Sequence, residues 1–167
     1  MLANIVVTPY ELAWTAQVLA LWLPEDGIWR DKFGGQHHIH HVAEGLLKRG
    51  FESRGCGGIH VLEAMMVLLE QDERHGWLAK DLRTRLVRTV DSALQAARLA
   101  VAEQGGWNAE WWKGSSPSSK DIGVVEEIMI TGHMAELVMK YERCSAGLKE
   151  VTEAMFERVW KLLETMD

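Results

Sequence analysis

The stretch Asp81–Glu103, DLRTRLVRTVDSALQAARLAVAE, decides the fold class. Leu82, Leu86, Val90, Leu94, Ala97 and Val101 recur at helical spacing. Residues spaced this way share one side of an α-helix, and no period-two alternation competes with them. Arg83, Arg85 and Arg88 read as a solvated helix face or a local basic patch. The glycine pair at 105–106 ends this helix.

The same reasoning extends in both directions. Thr8, Pro9 and Glu11 announce a first helix through a Thr-x-x-Glu capping box, and Pro24 stops it. Residues 24–35 read as a loop with turns at Asp-Gly and Gly-Gly. A second helix is expected over 36–48, closed by Gly50, and a third over 59–71. Residues 72–80 read as polar and broken, and 104–120 as the longest irregular stretch. A fifth helix is expected over 121–142 and a sixth over 146–166. The sixth carries Leu148, Val151, Met155, Val159, Leu162 and Met166 three and four apart. Only the short Asn4–Val7 run suggests a strand. The expected fold is all-α, with about six helices in antiparallel pairs in a single domain over 1–167.

Composition narrows the function. At 167 residues the chain can bury a core without staples, and 47% hydrophobic with 25% charged residues is ordinary for a globular protein. A net charge of −6 argues against a general nucleic-acid binder. No run approaches the roughly 20 apolar residues of a membrane span, and the amino terminus lacks a basic signal region. The two cysteines, Cys56 and Cys144, form no CxxC, so reduced thiols in a cytoplasmic protein are expected. The glycine-rich segments lack the Lys-Ser/Thr of a phosphate loop, and neither cysteine sits in a nucleophile signature. Methionines 65, 66, 129, 134, 139 and 155 fall at core spacing. His75 reads as surface.

One motif recurs. His41-Val-Ala-Glu44, His60-Val-Leu-Glu63 and His133-Met-Ala-Glu136 each set an imidazole and a carboxylate on one helix face, one turn apart. The bland reading is a favourable surface pair on any helix, or a marker of a degenerate helical repeat. The functional readings are two. In the first, His41, Glu44, His60, Glu63, His133 and Glu136 line a concave face with Trp107 and Trp111 at its rim. That face would bind a small or apolar ligand or a protein partner. Imidazole–carboxylate pairs there could act as general acid and base near neutral pH. In the second, His37, His41, His60, Glu63, His133 and Glu136 gather zinc, iron or manganese. His37 and His41, one helical turn apart, would then chelate together. Carboxylate-bridged bundles use the reverse order, Glu-x-x-His, and Glu126 or Glu127 could supply a further ligand.

Gln104-Gly-Gly-Trp107 with Trp111-Trp112, Cys56-Gly-Gly-Ile-His60 and Thr131-Gly-His-Met-Ala-Glu136 resemble the α/α-toroid repeat proteins. That superfamily includes squalene-hopene cyclases and protein prenyltransferase β-subunits. The resemblance covers roughly residues 36–163. It implies antiparallel helix pairs whose inner helices face a cavity. The chain has neither the Asp-x-Asp-Asp run of the cyclases nor the Asp-x-Cys of the prenyltransferase zinc site, so neither activity carries over. Closed toroids need roughly a dozen helices. Six would make half a ring, whose apolar inner face calls for a homodimer or another protein partner, or a compact helical bundle that requires neither.

Overall fold

The computed structural model describes residues 12–52, 56–101, 106–115, 123–141, 157, 159–161 and 163–164. Its elements run α1 (Leu12–Trp22), β1 (Ile28–Arg30), β2 (Gln36–His38), α2 (Ile39–Arg49), α3 (Ile59–His75), α4 (Lys80–Leu99) and α5 (Val124–Lys140). Short 3-10 turns lie at Cys56–Gly58 and Trp111–Lys113. The described residues among 157–164 are helical too, inside the expected sixth helix. Asn4–Val7 and the Thr8–Glu11 capping box fall outside the described residues. The protein is thus mostly helical. Among the described residues, no helix is long and apolar enough to cross a membrane.

The all-α expectation needs one correction. Residues 28–38 form a two-stranded antiparallel hairpin in register Ile28 with His38, Trp29 with His37 and Arg30 with Gln36. Asp31 makes its turn, its carboxylate accepting from the backbone N–H of Phe33 and Gly35 at 2.8 and 2.9 Å. The strands are too short for a period-two pattern to register. The second helix therefore starts at Ile39 and not at Gln36. Its N-cap is His38, whose Nδ1 accepts from the backbone N–H of His40 at 3.2 Å.

The chain divides into two compact units, Met1–Gly50 with His60–Val90, and Phe51–Ile59 with Asp91–Asp167. Of the three boundaries, the first follows α2 at Gly50, the second falls in α3 after Ile59 and the third in α4 after Val90. In the first unit, α1 and α2 pack through Leu12, Ala16, Leu19, Val42, Ala43 and Leu46, all buried. Gly45 lets the Leu12 side chain lie directly on the α2 backbone. Leu86 and Val90 of α4 are completely buried, each contributing about 1.5–3 kcal/mol of transfer free energy. Arg83 pairs with Asp72 and Glu73, and Arg85 lies 3.7 Å from Glu44, so two members of the proposed basic patch face carboxylates.

The segment read as broken from Asp72 is helical to His75. Asp72 is buried and accepts from the Leu78 backbone N–H at 2.7 Å while Arg83 Nε approaches at 3.1 Å. It ties the end of α3 to the start of α4. His75 is exposed, as read, and stacks on Trp77.

In the second unit Trp107 is completely buried. Its Nε1 donates to the Ala97 carbonyl at 2.7 Å, and its backbone N–H donates to Thr131 Oγ1 at 3.1 Å. A continuing helix would offer the Ala97 carbonyl to residue 101. The indole donates to that same carbonyl beside the end of α4, which falls at Leu99. Ile130, Met134, Leu137 and Val138 give α5 its buried face, whereas Met129 and Met139 are exposed and not core as their spacing suggests.

Replacing Asp72 with Ala leaves the Leu78 N–H buried without its acceptor. An unsatisfied group of this kind costs about 1–3 kcal/mol. The urea midpoint should fall by the corresponding amount with an unchanged slope.

Candidate metal centre

The 3-10 turn Cys56–Gly58 leads straight into α3 at Ile59. The turn packs against α5 within the second unit, and α5 carries His133. Cys56 and His133 belong to that unit, whose first segment ends at Ile59, one residue short of His60. One donor atom each from Cys56, His60 and His133 lies within 4.8 Å of the others. All three are half-buried. Donors bound tetrahedrally to zinc at about 2.0–2.3 Å stand about 3.3–3.8 Å apart, so modest side-chain rotation would close the set.

The backbone at Cys56 carries a signature of its own. Its φ of 47° makes it the one non-glycine residue in the left-handed region among those described. A side chain there costs roughly 1–2 kcal/mol, which explains why glycine is the usual occupant. Strain of this kind collects where a side chain is needed for function. Gly58, at φ 77°, has no such latitude: a Cβ there would strike the Phe51 carbonyl. Burial pushes the Cys56 thiol above its ordinary pKa.

The surroundings involve the repeated motif. His60 Nδ1 lies 3.8 Å from Glu63, and Glu63 accepts from Gln17 Nε2 at 3.1 Å. The Trp14 ring sits 4.4 Å from the His60 ring. On α5, His133 Nδ1 lies 3.7 Å from Glu136. Two of the three copies thus contribute their histidine to the donor group. The third does not join them: His41 is exposed, edge-on to His40 at 4.2 Å, and Glu44 faces Arg85.

Three other site residues are placed differently from expectation. Trp107 and Trp111 are completely buried, Trp111 against Phe51, so they are interior and not a rim. Large rings whose burial is this complete serve the core first. His37 is on β2 while His41 is on α2, which removes the one-turn spacing that chelation by the two would need. His37 Nε2 instead meets Asp31 at 2.8 Å and stacks on Trp29. Glu127 is buried against Gly106, and Glu126 lies near the Ala109 N–H. The sequence reading left out Cys56. Its one available signal was the Cys-x-x-x-His spacing to His60.

No protein-family model, curated protein or solved structure matches the chain.

Two outcomes follow. Glycine is at ease where Cys56 is strained, so Cys56→Gly should stabilise the metal-free protein by about 1 kcal/mol, read as a higher urea midpoint. In the hairpin, the hydrogen bond from His37, followed by those from the turn's N–H groups, holds the Asp31 carboxyl below its ordinary value. Burial, then His40 and His41, hold His38 low as well, keeping its Nδ1 an acceptor. A depressed aspartate contributes stability above its unfolded pKa of about 3.9 and loses it as pH falls through the lower folded value. Amide protection in 28–38 should fall off in that acid range, and Asp31→Asn should remove that step.

Proposed function

We propose that this chain binds a transition-metal ion, zinc best fitting its donors, through Cys56, His60 and His133. The observation that carries this reading is the convergence of one thiol and two imidazoles within 4.8 Å. Thiolate and imidazole together suit zinc, while manganese prefers harder oxygen donors. The left-handed backbone at Cys56 supports the same reading, because a free choice of residue there would favour glycine.

The rival reading is a ligand or partner face lined by histidines, glutamates and tryptophans. It is less well supported, since interior placement of Trp107 and Trp111 takes away its aromatic rim. The toroid-like half ring, and the homodimer it would call for, rest on the sequence resemblance.

Zinc binding can be measured by competition with a chromophoric chelator, and cobalt substitution reports the donors. The wild-type protein should hold one ion per chain and show a thiolate-to-cobalt charge-transfer band. Cys56→Ser should abolish that band. His60→Ala and His133→Ala should each weaken zinc by more than about tenfold, or 1.4 kcal/mol. Retention of wild-type affinity in all three variants would overturn the proposal, as would a wild-type chain that holds no ion.

A further inference from the structure

We infer that Glu63 and Glu136 are positioning residues of this metal site, each facing its histidine on the Nδ1 side and leaving Nε2 to the ion. The inference rests on the metal site proposed above and assigns a role to a motif that the three donors leave unused. The two copies share one geometry on different helices: His60 Nδ1 to Glu63 Oε2 is 3.8 Å, and His133 Nδ1 to Glu136 Oε2 is 3.7 Å. Both separations lie just beyond hydrogen-bonding range. A small ring rotation as the ion draws Nε2 would bring each Nδ1–H onto its carboxylate. A carboxylate in that position fixes the tautomer and makes the other ring nitrogen a stronger ligand.

Two further contacts support the assignment. Gln17 Nε2 donates to the Glu63 oxygen that faces His60, so the carboxylate is itself anchored from α1. The Trp14 ring beside His60 restricts how far the imidazole can turn. The third copy acts as an internal control. Its histidine is outside the donor group, and its Glu44 faces Arg85.

The two carboxylates should not count equally. The Glu63 side chain is 13% exposed and that of Glu136 is 65% exposed. Water screens the second far more than the first.

The test compares Glu63→Gln, Glu136→Gln and the control Glu44→Gln for zinc affinity and for the urea midpoint of the metal-free protein. Glu63→Gln should weaken zinc by roughly 10–100-fold, Glu136→Gln by less, and Glu44→Gln should bind as the wild type does. The metal-free midpoint should move far less than the affinity does for Glu63→Gln. Nitrogen-15 NMR of the zinc-loaded wild type should show Nδ1 protonated and Nε2 metal-bound in His60 and His133. That readout needs no variant, so it remains decisive if Glu63→Gln folds poorly. Wild-type affinity in Glu63→Gln, or Nδ1 as the metal-bound atom, would overturn the inference while zinc binding itself stands. A wild-type chain that binds no zinc overturns both.

Discussion

The packing of a three-residue turn, Cys56–Gly58, against α5 is the constraint on which the candidate site depends. This contact brings together residues 77 positions apart in sequence, Cys56 and His133. Its geometry is demanding because the turn uses two left-handed backbones, at Cys56 and Gly58. Gly58 has no side chain to fit beneath Phe51, while Cys56 accepts strain to keep a sulfur in place. A turn optimised for stability alone would place glycine at both positions. On the proposed metal-site reading, the sulfur is what the strain at Cys56 retains.

Around that turn, the helices divide their work between core and site. The α3 helix is buried along much of its length through Val61, Leu62, Met65, Met66, Leu68 and Leu69, and it presents His60 and Glu63 from its less buried side. The α5 helix does the same with His133 and Glu136 set beside buried Met134, Leu137 and Val138. A helix whose apolar stripe is pinned in the core cannot rotate freely, so the opposite edge becomes a rigid platform for polar side chains. Polar residues on such an edge keep fixed directions.

Much of the helical architecture was legible in the sequence because it depends on periodicity. Leu82, Leu86, Val90, Leu94 and Ala97 are all buried along one stripe of α4, as their spacing requires. The hairpin was not legible, since three-residue strands fall below the length at which alternation shows. The Asp31 turn and the backbone pairing leave no hydrophobic pattern, and one buried ring, Trp29, makes none by itself. The helix ends were also hard to place. Near the end of α4 the Trp107 indole reaches the Ala97 carbonyl, a tertiary contact invisible to local propensity.

The site was half legible for a related reason. Spacing three residues apart sets each of His60 and His133 beside its carboxylate, but it does not say which of the three histidines joins the donor group. His41 carries the same local motif and remains exposed, because α2 turns it away from the interior. Cys56 was missed because a solitary cysteine lacks a second thiol to mark it, and its partner set is assembled by packing. X-ray absorption of the zinc-loaded protein tests the central claim most directly. The account predicts a first shell with one sulfur at about 2.3 Å and imidazole nitrogens at about 2.0 Å, the sulfur vanishing in Cys56→Ser. A shell made of oxygen atoms alone, or a sulfur that survives that substitution, would contradict it.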